Sequence, residues 1–312
     1  MHTVATMNPD LSKRDVSKAP PLASLAGVSK RYGKVLALDN MDLQVRAGEV
    51  LAVLGPNGAG KTTAISLLLG LLRSDSGKVD LFGMQPDQLA ARRRIGAMLQ
   101  TSAVPETLTA GELVALFRSY YPNPRSVADC VSLAGIGELV NRRYGKLSGG
   151  QQRRVQFALA LAGNPEILFL DEPSTGLDIG AREALWKTIR MLVAGGCAIV
   201  LTTHYLEEAE ALADRVCVLA HGRIVAEGSV AAIRARVSQR RIRCVSTIAS
   251  ETIRCWPHVR SVSHDGERFE IVTDATEHIV RRLLDADADL SELEIRRAGL
   301  AEAFVEITRE AA

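Results

Sequence analysis

Glu49-Val50-Leu51-Ala52-Val53-Leu54-Gly55-Pro56-Asn57-Gly58-Ala59-Gly60-Lys61-Thr62-Thr63 is the stretch on which the fold turns. An apolar run over Glu49 to Leu54 stops at a glycine-rich turn, and a helical pattern follows from Lys61 to Leu72, stopped near Gly70 and Ser74-Asp75-Ser76-Gly77. Apolar runs that end abruptly in glycines belong to parallel strands covered on both faces. The turn satisfies GxxxxGK[ST] and sits between a strand and a helix, where its mechanism needs it. Its glycines let backbone N–H groups converge on phosphate oxygens with no Cβ in the way, at the positive end of a helix. Lys61 would bridge the β- and γ-phosphates as a point charge, and the Thr62 hydroxyl would ligate Mg²⁺. The plain alternative is a glycine-rich strand–helix turn that happens to be followed by Lys-Thr.

Working outward, Ala23 to Tyr32 and Val35 to Val45 read as two antiparallel strands turning at Gly33. Lys78 to Phe82 and Ile95 to Gln100 are further strands. From Thr107 to Ala162 the pattern turns helical: Thr109 with Glu112 forms a capping box, and helical spacing runs through Val127 to Leu139 and Gly150 to Leu161. Strand and helix then alternate again: Ile167 to Leu170, Ala181 to Val193, Ala198 to Thr202, Leu206 to Ala213, Val216 to Ala220 and Arg223 to Ala226. This alternation predicts a mainly parallel sheet covered on both faces, with a helical insertion. A second unit starts near Val237. Its predicted order, β(α)ββαβα with Asp265-Gly266 as a hairpin turn, is that of a small ferredoxin-like α+β domain.

Composition narrows the function. At 312 residues, 47% hydrophobic and 24% charged, the chain can bury large cores. Its 38 Lys and Arg against 36 Asp and Glu leave a net charge of +2, which argues against a nucleic-acid partner. Five scattered cysteines without a CxxC pair point to a reducing cytosol, not to a disulfide framework or zinc site. The polar stretch over residues 1–21 lacks the apolar region of a secretory signal, and no run reaches the ~18–20 apolar residues of a membrane span. The chain is therefore expected to be soluble on its own.

Three further stretches carry chemistry. Ile167-Leu168-Phe169-Leu170-Asp171-Glu172 ends an aliphatic strand in two carboxylates. Asp171 at the strand tip can hold Mg²⁺, and Glu172 can polarise an attacking water; alone, the pair also reads as a helix cap. Leu147-Ser148-Gly149-Gly150-Gln151 opens a helix with a hydroxyl and unobstructed amides, a second anion site or an ordinary N-cap. Asp178 alone would cap the next helix, and His204 and Tyr32 alone would be structural residues.

Taken in order, these motifs resemble the ATP-binding subunit of ABC transporters, over Leu22 to about Val237. The specific element is LSGGQ at Leu147 to Gln151 ahead of Asp171-Glu172-Pro173. The fold so implied is an α/β P-loop NTPase (ABC ATPase) sheet sandwich over residues 22–237, with a helical subdomain at about 107–162 and an accessory α+β domain over 238–312. The resemblance implies that Tyr32 stacks on adenine, that Gly55, Pro56, Asn57, Gly58, Ala59, Gly60, Lys61, Thr62 and Thr63 cradle the phosphates, and that Gln100 couples the nucleotide and its Mg²⁺ to the transport partner. Ser174-Thr175-Gly176-Leu177-Asp178 matches a loop crossing a dimer interface, and His204 a histidine that contacts the γ-phosphate.

The implied mechanism is a homodimer sandwiching two ATP molecules. Ser148, Gly149, Gly150, Gln151 and Asp178 of one copy would complete the pocket of the other. Catalysis would fall to Glu172, His204 and Lys61, with Thr62, Gln100 and Asp171 at Mg²⁺. The expected partner is a separate membrane permease, met at the cytoplasmic face through the helical block from Thr107 to Arg143. The overall pattern resembles exporters of drugs, antibiotics or lipids. The competing reading is a soluble ABC ATPase working on a ribosome or a nucleic-acid machine, but the chain has one nucleotide domain, no sustained heptads and little net charge. A phosphate-loop kinase would have no use for LSGGQ.

Overall fold

A computed structural model describes residues 20–100, 103–236, 240–266, 268–297 and 299–311. They divide into two compact units between Ile224 and Val225. In chain order the first part runs β1 (Ala23–Tyr32), β2 (Val35–Val45), β3 (Val50–Leu54), α1 (Lys61–Leu68), β4 (Ser76–Leu81), α2 (Leu89–Arg92) and β5 (Ile95–Met98). The helical block holds α3 (Ala110–Arg118), α4 (Val127–Leu133) and α5 (Gly149–Leu161). Then come β6 (Ile167–Asp171), α6 (Ile179–Ala194), β7 (Ala198–Thr202), α7 (Leu206–Leu212), β8 (Arg215–Ala220) and β9 (Arg223–Gly228).

β2-β1-β4 form an antiparallel sheet, and β5-β6-β7-β3-β8-β9 form a six-stranded one whose inner pairs are parallel. Every residue of β3, β6 and β7 is buried, which explains their unbroken apolar runs. Alternation divides these side chains between two cores. Leu51, Val53, Phe169 and Val200 pack with α1 and the antiparallel sheet, whereas Leu168, Leu170, Ile199 and Leu201 pack with α5, α6 and α7. Each such apolar side chain removed from water stabilises the sandwich by roughly 1.5–3 kcal/mol.

Several boundaries differ from the sequence expectation: β4 starts at Ser76 and not Lys78, α6 at Ile179 and not Ala181, β9 runs on to Gly228, and three further differences concern the helices and the site. α1 ends at Leu68, not Leu72, because Gly70 adopts φ +66° and lies so close to the Pro86 carbonyl that a Cβ would sit 2.5 Å from it. β5 ends at Met98, so Gln100 lies on an exposed bend, not at a strand end. The helical pattern over Val127 to Leu139 breaks at Gly135 (φ +60°) into α4 and a separate 3-10 turn at Gly137–Leu139. The capping box forms as expected: Thr109 Oγ1 accepts from Glu112 N, and the Glu112 carboxylate accepts from Thr109 N at 2.8 Å.

The second unit contains α8 (Val230–Ala235), β10 (Arg240–Val245), α9 (Ser250–Arg254), β11 (Val259–Asp265), β12 (Arg268–Thr273), α10 (Thr276–Ala286), β13 (Ser291–Arg297) and α11 (Leu300–Glu310). It begins upstream of the Val237 boundary because α8 packs on α11. Its antiparallel sheet has the order β11-β12-β10-β13, the arrangement a ferredoxin-like chain produces. Ile242, Trp256, Phe269, Ile271, Ile279 and Leu283 fill the core of this unit. The 1–21 segment read as a polar tail lies, up to residue 19, outside the described residues.

Candidate functional site

Three neighbouring strands, β3, β7 and β6, end side by side. Val53 pairs with Thr202, and Thr202 pairs with Asp171. The glycine loop leaves β3, the two carboxylates leave β6, and His204 follows β7, so one crevice at the carboxyl ends of parallel strands collects all three. That is where open α/β sheets place their ligands.

Close packing forces the loop's path. Gly60, the N-cap of α1, adopts φ +107°, and a Cβ there would lie 2.6 Å from the Ala37 carbonyl. Gly55 is pressed as tightly, with the Leu219 carbonyl 2.6 Å from its would-be Cβ. Gly60→Ala should therefore cost about 1–3 kcal/mol through backbone strain and overpacking. A denaturant titration would show this as a lowered midpoint, and an unchanged midpoint would mean that the loop relaxes freely. Lys61 Nζ donates to the carbonyls of Gly55 (2.6 Å) and Pro56 (3.0 Å), bending the side chain back over its own loop. Burial pushes its pKa down, while the negative charges of Glu172 and Asp171 push it up. The lysine and both carboxylates thus share one electrostatic environment.

Asp171 is buried, and Thr202 Oγ1 donates to its Oδ1, fixing the carboxylate's orientation. Glu172 occupies the left-handed region at φ +50°, an uncommon conformation for a residue with a side chain. Its N–H donates to Thr202 O at 2.9 Å, and Arg153 Nη2 donates to its carbonyl at 2.6 Å. The carboxylate therefore leaves the strand at an imposed angle. Its Oε1 lies 3.1 Å from His204 Nδ1, and its Oε2 accepts from Thr175 Oγ1 at 3.4 Å. The His204 ring rests on Tyr205 at a centroid distance of 4.0 Å.

Other expected residues lie outside this cluster. Tyr32 ends β1 with 47% of its surface exposed, and Gln100 is exposed on its bend. Ser148 and Gln151 make a reciprocal capping box on α5: Ser148 Oγ accepts from Gln151 N, and Ser148 N donates to Gln151 Oε1 at 3.1 Å. Gly149 has open space at its Cβ position, whereas a Cβ on Gly150 would come within 2.6 Å of the Gly176 carbonyl. Gly150 is thus required where α5 meets the Ser174 to Asp178 loop. Asp178 caps α6 by accepting from Ala181 N at 2.8 Å. Among the described residues, no hydrogen bond joins Ser148–Gln151 to Gly55–Thr63.

Two residues of the cluster were not singled out from sequence. Thr202 is the polar end of an otherwise apolar strand, a faint signal for a buried hydroxyl with a partner. Arg153 is half of a basic Arg-Arg pair on α5 and reads as solvated surface until its partners are seen.

Comparison with known proteins agrees with this geometry. Residues 38–175 match the family model described as ABC transporter. The chain is 38% identical over 301 residues to the daunorubicin resistance ATP-binding protein DrrA3 of Streptomyces coeruleorubidus, covering 90% of this chain and 94% of that one. It is 37% identical over 293 residues to the Nod factor export ATP-binding protein I of Rhizobium sp. (strain N33), covering 91% and 96%. An ATP-binding subunit of an ABC transporter superposes with a TM-score of 0.64 at 28% identity, over 69% of this chain and 92% of that one. A bacterial ABC transporter cassette solved as a dimer gives 0.61 at 28% identity, over 66% and 98%. The same cassette has also been solved in a post-hydrolysis state bound to ADP and Pi. This chain belongs to the ABC transporter family, as one of its ATP-binding ATPase proteins.

Proposed function

We propose that the chain binds ATP between two copies of itself and uses its hydrolysis to drive export through a separate membrane permease. The convergence of the anion cradle, Asp171, Glu172 and His204 at the ends of β3, β6 and β7 supports this most strongly. The names of the relatives, a drug-resistance protein and a Nod factor export protein, support export as the direction. Neither name favours the ribosomal or nucleic-acid alternative. No helix among the described residues is long and apolar enough to cross a membrane, which fits a peripheral subunit that meets its permease at the cytoplasmic face.

The roles follow from the chemistry. The loop amides and Lys61 hold the triphosphate, which must displace the lysine's bonds to the Gly55 and Pro56 carbonyls. Tyr32, exposed beside the β1–β2 turn, stacks on adenine. Thr62, Asp171 and Gln100 offer only hard oxygen donors, a set that suits Mg²⁺ held partly by substrate phosphates. Mg²⁺ there would supply charge neutralisation at the β- and γ-phosphates. Glu172 orients and polarises the attacking water, and His204, held beside it, offsets charge developing on the transferred phosphoryl group. Ser148 to Gln151 and Asp178 serve the pocket of the second copy. ATP thereby acts as the bridge between copies, and its loss shifts the pair toward the open state.

Phosphate release by the purified chain tests the reaction directly. Turnover is expected with Mg²⁺ and ATP, abolished by a chelator and restored by added Mg²⁺. Undiminished release in excess chelator would overturn the assignment of Thr62, Gln100 and Asp171.

A further inference from the structure

Arg153 lies on α5 two residues beyond the Ser148–Gln151 capping box. Its two terminal nitrogens reach four acceptors. Nη1 donates to Leu99 O (3.1 Å) and Gln156 Oε1 (3.0 Å), and Nη2 donates to Asp171 O (2.8 Å) and Glu172 O (2.6 Å). Gln156 Nε2 in turn donates to the Tyr144 hydroxyl at 2.7 Å, and Gln152 Nε2 donates to the Tyr144 carbonyl at 3.2 Å. One guanidinium therefore joins three segments: the helix of the LSGGQ motif, the end of β5 one residue before Gln100, and the end of β6 at the two carboxylates.

Three of the four acceptors are main-chain carbonyls. Such an arginine senses where a backbone is, in a fixed planar fork that a lysine cannot reproduce. The backbone in question needs holding. Glu172 sits at φ +50°, and residues with side chains stay in that region only when their surroundings over-determine it. Three hydrogen bonds restrain its main chain: its N–H donates to Thr202 O, and its carbonyl accepts from Arg153 Nη2 at 2.6 Å and, more weakly, from Thr175 N at 3.3 Å. The proposed function offers Ser148–Gln151 to the second copy's ATP. A helix is stiff over the single turn from there to Arg153, so displacement at its N-terminus travels along it.

We infer that Arg153 is a positioning residue that relays the occupancy of one nucleotide pocket to the other, by coupling the LSGGQ helix of a chain to the backbone of that chain's own Glu172. This role rests on the shared-pocket reading above. Engagement of Ser148–Gln151 by the partner's ATP settles α5. Arg153 then settles the Glu172 peptide, and the carboxylate takes its water-orienting position. The two pockets of a dimer consequently fire cooperatively.

The test compares wild type with Arg153→Met, which keeps the length and apolar stem but removes every donor, and with Arg153→Lys, which keeps the charge but loses the fork. Each full-length chain is measured for thermal unfolding, for affinity towards a non-hydrolysable ATP analogue, for kcat, and for the Hill coefficient of turnover against ATP. For Arg153→Met we expect analogue affinity within about twofold of wild type. Its kcat should fall on the order of a hundredfold, as misplacement of a catalytic group entails, and its Hill coefficient should drop toward one. Arg153→Lys should recover little of either. Should Arg153→Met not fold, Gln156→Leu removes the guanidinium's side-chain support and should give a smaller loss of the same kind. A folded Arg153→Met with wild-type kcat and Hill coefficient overturns the role, as does a loss of analogue affinity matching the loss of kcat. Wild-type turnover without cooperativity overturns the relay. A wild-type chain that hydrolyses no ATP would instead overturn the function proposed above.

Discussion

Glu172→Gln should lower ATP turnover by about 10²–10⁴-fold while changing nucleotide affinity little, because a general base and not a binding contact is lost. The substitution keeps the shape of the side chain, and the main-chain restraints from Thr202 and Arg153 do not depend on its charge. What disappears is the carboxylate that accepts a proton from water and sits 3.1 Å from His204 Nδ1. Single-turnover phosphate release, measured beside equilibrium binding of ATP, separates the two effects. Wild-type rates in this variant would remove Glu172 from the mechanism. A parallel loss of affinity would make it a binding residue instead.

Lys61→Ala should act at the other step. The ammonium is the point charge that reaches the β- and γ-phosphates, and hydrogen bonds to charged groups contribute roughly 1.5–3 kcal/mol, which corresponds to about a 10- to 150-fold rise in Kd. Two features of the free protein frame that loss. The lysine is anchored on the Gly55 and Pro56 carbonyls, so binding exchanges those bonds for phosphate contacts. Burial works against its charge, while Asp171 and Glu172 favour it. Burial outweighs the two carboxylates, so the lysine's pKa lies below its ordinary value. Isothermal titration with ATP in the presence of Mg²⁺ gives the Kd directly. An unchanged Kd would show that the backbone amides alone hold the triphosphate.

Local rules carried most of the fold. The limits of β1, β2 and β7 follow from apolar patterning and turn residues, and the Thr109–Glu112 box forms at the helix start that its spacing predicts. The errors came where tertiary contact overrides pattern. α1 ends at Leu68, short of Leu72: Gly70 is a stop legible in the sequence, but its close approach to Pro86 is a constraint that no window of sequence contains. α8 joins the second unit by packing on α11, a segment far along the chain.

The site divides in the same way. Gly55 to Thr63, Asp171 and Glu172 announce themselves through residue types whose chemistry demands that order. Tyr32, Gln100, Asp178 and His204 become legible only through resemblance, since each alone fits a structural reading; Asp178 does cap its helix. Thr202 and Arg153 stayed hidden because their partners are a buried carboxylate and main-chain carbonyls, which carry no sequence signature.

The shared pocket is the centre of the account. Sedimentation of Glu172→Gln with saturating Mg²⁺ and ATP examines it with turnover blocked, so the bridging nucleotide persists. A species of twice the monomer mass, reverting to monomer when ADP replaces ATP, is the predicted result. A monomer at every ATP concentration would contradict it, and with it the placement of Ser148–Gln151 on a second copy's nucleotide.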